Sequence, residues 1–320
     1  MEAEMTAISR RGFIGGCAGA ATALAAGAFL PRALSADPLG LPIGIQLYTV
    51  GSDMQKDAPA TVKQIAAIGY KEVETAGFGS LKTAKELRKV FDDNGLKCPS
   101  AHVSFDLKNL QPAFDDANSL GCTYATASVA RMMLLPPMDL ASAPADQRSK
   151  MIASIMAPMT EDDCKKLADA MNTVGAAAKS NGLMFASHNH TEQFSLVEGK
   201  TAFDYLISHT DASSVAFEID CGWISVAGHT PEEFINRYPG RVKMLHVKDF
   251  KAWDKGAAAG GPTSPQGMEI GQGVVDYKKI FADVKGKGIQ HVFVEQEGPY
   301  SRMPAMQAAK VDYEYLHSLS

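Results

Sequence analysis

The sequence predicts a single closed (β/α)8 barrel of the TIM type, and three observations carry that expectation. From residue 42 onward, short β-branched runs alternate with helical patterns about every 25 to 35 residues, the signature of βαβ units in a parallel sheet. Eight such units fit in about 280 residues, the size of a closed barrel rather than of a doubly wound open sheet. Glycine follows the helical stretches at Ile68-Gly69, Asn94-Gly95, Leu120-Gly121, Asn181-Gly182 and Lys287-Gly288, where a helix must end before the next strand begins.

The strands are read at Ile43 to Tyr48, Glu72 to Thr75, Cys98 to Val103, Tyr124 to Ser128, Leu183 to His188, Val215 to Asp220, Val242 to Val247 and His291 to Glu295. Helical spacing covers Ala60 to Ile68, Leu81 to Asp93, Asn109 to Leu120, Asp162 to Ser180, Ala202 to Ser208, Pro231 to Tyr238 and Tyr277 to Val284, and Ala305 to Leu319 closes the chain. Asp276 stands where the seventh helix needs an N-cap. Two connections exceed what a barrel requires: Arg131 to Thr160, rich in Met and Pro, and Asp249 to Asp276, rich in Gly and Pro. Each follows a strand, so each is expected over the catalytic face as a lid or pocket wall.

Residues 1–35 read as a targeting segment, leaving 36–320 as the barrel domain. Ser9-Arg10-Arg11-Gly12-Phe13-Ile14 sets paired arginines before an uncharged run from Gly15 to Leu30, which resembles a twin-arginine export signal, with cleavage expected after Ser35. The expected location is periplasmic or secreted. A lipoprotein anchored through Cys17 is the lesser alternative, because that cysteine follows the arginines too soon. Sixteen apolar residues, many of them Gly and Ala, are short for a permanent span, so no stable membrane span is expected after signal removal. Cys98, Cys122, Cys164 and Cys221 form no C-x-x-C pair and are expected as buried free thiols.

The chain carries 31 Lys and Arg against 36 Asp and Glu, a formal charge of -5. Loss of three arginines (Arg10, Arg11, Arg32) and two glutamates (Glu2, Glu4) with the leader makes this -6. Without a clustered basic surface, nucleic acid is excluded as a partner.

Barrel enzymes carry their chemistry at the C-terminal ends of strands. Four consecutive strands end in ionisable residues: Ser187-His188-Asn189-His190, Phe217-Glu218-Ile219-Asp220, Leu245-His246-Val247-Lys248-Asp249 and Val294-Glu295-Gln296-Glu297. His188, Asp220, His246 and Glu295 then converge on one point, an N/O donor set suited to one divalent ion, Mn2+, Zn2+, Co2+ or Fe2+. A hydrogen-bonded structural role is at least as common for any one of them taken alone. Gln46, Glu74 and His102 on strands one to three are candidates to hold substrate hydroxyls, against a buried polar network bracing the barrel. Trp223 offers a flat face to a sugar ring, or core packing. Lys248 is a candidate to complement an anionic intermediate, or a solvated loop lysine.

These stretches, with Gly271-Gln272-Gly273-Val274-Val275-Asp276 and Gln46-Leu47-Tyr48, resemble the xylose-isomerase-like sugar phosphate isomerase/epimerase family over about residues 42 to 319. That family includes ketose 3-epimerases, inosose dehydratases, xylose isomerases and apurinic-site endonucleases. The resemblance implies one divalent ion held at the ends of strands five to eight, and a small carbohydrate substrate. It also exposes a departure: ketose 3-epimerases have a glutamate where His188 stands, and related His-Asn-His chains often carry a carboxylate where this one has Gln193 beside Glu192. His190 is therefore a rival to His188 as ligand. The chemistry expected is proton transfer beside a carbonyl, with Glu295 as base and His188, His190 or Lys248 returning the proton in an isomerisation or epimerisation. Loss of a β-leaving group from the same enediolate gives a dehydratase or lyase acting on inososes or 3-keto-glycosides. A non-catalytic sugar-binding protein is the rival class.

Overall fold

Eight strands, β1 (Ile43–Gln46), β2 (Glu72–Ala76), β3 (Lys97–His102), β4 (Tyr124–Ala127), β5 (Met184–His188), β6 (Val215–Asp220), β7 (Val242–Val247) and β8 (His291–Val294), pair in parallel. They close into a barrel when β1 pairs with both β2 and β8. The computed structural model describes residues 37–135, 143–253, 265–297 and 302–319. The leader, with Arg10, Arg11, Cys17 and the expected cleavage after Ser35, lies outside the described residues.

The helices that alternate with the strands are α1 (Gly51–Ile68), α2 (Ala84–Asp93), α3 (Gln111–Leu120), α4 (Glu161–Ser180), α5 (Ala202–Ser208), α6 (Pro231–Arg237), α7 (Tyr277–Val284) and α8 (Ala305–Ser318), with additional helices at Ala145–Ile155 and Cys221–Val226. Their starts are chemically marked. Thr83, Thr160 and Thr201 each accept from the backbone N–H three residues on, and the acid there (Glu86, Asp163, Asp204) accepts from the threonine's own N–H. Asp276 caps α7 as expected, accepting from Lys279 N at 3.0 Å. Gly121 ends α3 in the left-handed conformation, φ 79°, with its N–H on the carbonyls of Ala117 and Asn118.

Most boundaries differ from the sequence reading by one to three residues, and three differences have a visible cause or bear on the site. β1 stops at Gln46, because the Gln46 side chain accepts from Tyr48 N and turns Leu47–Val50 into a 3-10 helix. α1 begins at Gly51, nine residues early, with a break at Asp57 (φ -156°, ψ 89°), whose carboxylate accepts from Ala60 N. β8 ends at Val294, leaving Glu295 one residue beyond the ladder.

The main apolar core fills the space between barrel and helices, with Ile45, Val73, Ala101, Ala125, Phe185, Ile219, Leu245 and Val294 facing outward from the strands. Inside the barrel the alternate residues Tyr124, Ala186, Ala216, Met244 and Phe293 form a second, smaller cluster. The Phe293 ring lies over Gly44, where an added Cβ would approach its Cδ1 to 2.5 Å. This apolar plug is the floor on which the polar residues of the next two layers stand. Cys98, Cys122, Cys164 and Cys221 are buried and unbridged. No helix among the described residues is long and apolar enough to cross a membrane.

Candidate active site

Period-two alternation carries the chemistry upward from that floor. Two residues above Ala186, Ala216 and Met244 stand His188, Glu218 and His246, and β2 and β3 bring Glu74 and His102 to the same region. Asp220, which pairs in register with His246, then rises above them with Glu295 and Lys248. All but the partly exposed His102 are buried, and Glu74, Glu218, Asp220 and His246 are fully so.

His188, Asp220, His246 and Glu295 each offer one donor atom within 4.8 Å of the others. His246 Nδ1 lies 3.1 Å from Glu295 Oε2, and His188 Nε2 lies 3.9 Å from Asp220 Oδ2. Lys248 is not the solvated loop residue that its place in the sequence allows. Its ammonium is buried 2.7 Å from Glu295, 3.1 Å from Asp220 and 2.6 Å from Glu297. Burial opposes its charge, but Asp220, Glu295 and Glu297 outweigh that and hold the lysine pKa well above its ordinary value. Lys248 and His246 in turn keep Glu295 well below the usual carboxylate range despite its burial.

The donor set fits a divalent ion. Five carboxylates (Glu74, Glu218, Asp220, Glu295, Glu297) face Lys248, His102 and His246. Burial opposes charge on His102, but Glu74 and Glu218 raise its pKa to about 10, and Glu218, Glu295 and Glu74 likewise raise that of His246. Carboxylates thus outnumber the basic groups among them, and a cation bound there takes the place of the His246 ring proton, because only a neutral imidazole has a lone pair for a metal. Asp220 Oδ2 has the Lys248 ammonium nearby but no well-directed hydrogen bond, the state of an oxygen suited to a cation.

His190 leaves the ladder at the top of β5, its ring centroid 5.0 Å from that of His188 and 6.0 Å from that of Trp223. Burial, then His188 and Lys248 beside it, press its pKa well below the ordinary value, and its Nδ1 has no hydrogen-bond partner in the protein. Trp223 is 2% exposed. Its ring packs on Phe250, carries the Lys248 ammonium 5.1 Å from its centroid and donates Nε1–H to Glu297 at 3.3 Å. Gln46 donates to Glu74 Oε2 at 2.8 Å and Ser100 to Glu74 Oε1, so Gln46 and Glu74 belong to a buried polar network. His102 joins it, 3.0 Å from Glu218 and 3.1 Å from Glu74.

Three supporting residues escaped the sequence reading. Glu218 was visible only as the polar residue two before Asp220, hence on the same face of β6. The Tyr277 hydroxyl accepts from Lys248 N at 2.7 Å and donates to Lys248 O at 2.6 Å, pinning the backbone that carries the ammonium. The Asp249 carboxylate accepts from the N–H groups of Phe250, Gly271, Gly273 and Val275, so the Gly271-Gln272-Gly273 turn wraps around it. That turn lies in the described part of the second long connection. In the first, Met156 packs against the cluster of Trp223, Val226, Phe250 and Trp253, and the Ala145–Ile155 helix was not foreseen.

A family model described as xylose isomerase-like TIM barrel matches residues 62–319, and the chain belongs to that family. Inosose dehydratase of Clostridium beijerinckii is 30% identical over 133 residues, 38% of this chain and 42% of that one. The chain thus spans under half the length of that relative. Among solved structures, a sugar phosphate isomerase/epimerase from Parabacteroides distasonis superposes with a TM-score of 0.64 at 22% identity, covering 87% of this chain and 94% of that one. A xylose isomerase-like TIM barrel protein from Mycobacterium smegmatis in complex with magnesium gives 0.58 at 16% identity, covering 87% and 96%.

Proposed function

We propose that this xylose isomerase-like TIM barrel protein is a divalent-metal-dependent dehydratase or lyase acting on an unphosphorylated polyhydroxylated ketone, such as an inosose or a 3-keto-glycoside. The observation that carries this reading is the convergence of His188, Asp220, His246 and Glu295 with a buried ammonium, Lys248, against the two carboxylates. The likeness to inosose dehydratase supports the same choice.

His188, Asp220, His246 and Glu295 would hold a divalent ion, which would supply the Lewis-acid charge that polarises a ketone and acidifies the neighbouring C–H. Glu295, an ionised carboxylate, takes the α-proton. Lys248 remains an ammonium and stabilises the negative charge that develops on the substrate oxygen. His190, neutral and with Nδ1 unpaired, accepts a hydrogen bond from a substrate hydroxyl. Elimination is favoured over epimerisation because epimerisation needs two opposed acid/base groups, and the strand-five position holds an imidazole. The proton on Glu295 passes to the departing β-hydroxyl, the C–O bond breaks as C=C forms, and water leaves.

The test is incubation of metal-loaded protein with inososes and 3-keto-glycosides in deuterated water, read by mass spectrometry and NMR. A product lighter by one water, or by the glycosidic alcohol, is expected. Conversion to an epimer that has lost no water and is heavier only by the deuterium at its α-carbon would move the assignment to the epimerases. Thermal stabilisation by these ketones without turnover would make the chain a binding protein.

A further inference from the structure

Beneath the four donors lies a layer of carboxylates that the chemistry above does not use. Imidazole carries two nitrogens on opposite edges, and a neutral ring ligates a metal with one only when its proton sits on the other. His188 turns Nε2 toward Asp220, while Nδ1 is 3.1 Å from Glu218 Oε2. His246 turns Nδ1 toward Glu295, while Nε2 is 2.7 Å from Glu74 Oε2. Glu218 Oε2 meets His188 and His102 and lies 3.2 Å from His246 Nε2, and Glu74 Oε2 meets His246 and Gln46 and lies 3.1 Å from His102 Nε2. Both acids are fully buried, and both stand where the ladder shifts register, Glu74 in the β2–β3 pairing and Glu218 in the β6–β7 pairing. Such irregularities re-aim side chains beside functional sites.

We propose that Glu218 and Glu74 are positioning residues that fix the tautomer and aim of the two ligand histidines, Glu218 holding the proton of His188 on Nδ1 and Glu74 that of His246 on Nε2. This rests on the four-residue metal site proposed above and adds two residues from strands two and six to it. Removal of such a partner lowers metal affinity about 10- to 100-fold. It also makes His188, with Nδ1 tied to Glu218, the strand-five ligand through Nε2, and leaves His190, whose Nδ1 has no hydrogen-bond partner, for the substrate.

The test is calorimetric titration of Zn2+ into the metal-free full chain, for wild type, Glu218→Gln and Glu74→Gln. Nitrogen-15 NMR of labelled histidines in the zinc-loaded proteins accompanies it. Wild type is expected to bind one ion, with one histidine bound through Nε2 and another through Nδ1. Each variant is expected to keep its circular dichroism while affinity falls 10- to 100-fold and the tautomer of its own histidine becomes mixed. If Glu218→Gln does not fold, Glu74→Gln tests the same claim on His246. Unchanged affinity and tautomers in the folded variants would overturn the positioning role while leaving the metal site standing. Two ions in wild type with one lost in Glu218→Gln would also overturn it, making Glu218 a ligand. A wild type that takes up no ion would overturn the metal site and this inference together.

Discussion

Lys248 shows how a residue's role is set by what it touches. In sequence it is a lysine after a strand, and only the structure puts its ammonium among Asp220, Glu295 and Glu297. Asp220→Ala, His246→Ala and Glu295→Ala are each expected to lose the bound ion with the barrel still folded, as metal analysis and circular dichroism will show. His190→Gln is expected to keep most of the metal and lose turnover, whereas His188→Gln loses both; metal lost only from the His190 variant would exchange their roles. Glu192 offers a separate test. Burial pushes its carboxyl up to about 7, and neither oxygen has a well-directed hydrogen bond. A carboxyl raised in the folded state contributes stability that is present below its unfolded pKa of about 4.3 and is lost as pH rises through 7. Glu192→Gln should therefore gain roughly 2 kcal/mol on wild type between pH 5 and pH 8, read from denaturant unfolding at both pH values. The upper donors were legible because strand ends announce them. Glu74 was legible as a buried polar residue and Glu218 only as the residue two before Asp220, while their pairing with His246 and His188 was not, since no spacing reveals which nitrogen of an imidazole carries the proton.

At the scale of elements, strands and helices were legible wherever the hydrophobic period was clean. β6, β7, α5 and α7 coincide with their sequence readings to the residue. The reading failed where a side chain overrode the period: Gln46 ending β1, Asp57 and Pro59 dividing α1, and a Met- and Pro-rich stretch concealing the Ala145–Ile155 helix. The Gly271-Gln272-Gly273 turn was legible as a motif without its cause. A Cβ on Gly273 would fall 2.1 Å from Asp249 Oδ1. Gly273→Ala must expel the carboxylate from its four N–H donors and is expected to cost about 1–3 kcal/mol. Urea unfolding measures that cost, and a change within experimental error would mean that the turn yields without loss.

For the whole molecule, the barrel separates a stability core from a chemistry face. The apolar shell under the helices and the plug of Tyr124, Met244 and Phe293 hold the fold, while the charged layers stand above the plug. An ion at the site binds the folded chain alone, so chelation is expected to lower Tm, by the equivalent of about 4 kcal/mol where free metal exceeded Kd a thousandfold. Closed eightfold topology was legible from unit count and period, because a parallel sheet of that many short units closes. Reaction type was less so, since one donor layer serves isomerases, epimerases and lyases alike. The central claim is the ion itself, held by His188, Asp220, His246 and Glu295. Anomalous diffraction at the zinc edge, from crystals of the chain grown with Zn2+, tests it most directly. The account predicts one strong peak at about 2.0–2.2 Å from His188 Nε2, His246 Nδ1 and a carboxylate oxygen each of Asp220 and Glu295, with Lys248 displaced from between the two acids. A map without that peak, and with the Lys248 ammonium still bridging Asp220 and Glu295, would contradict it.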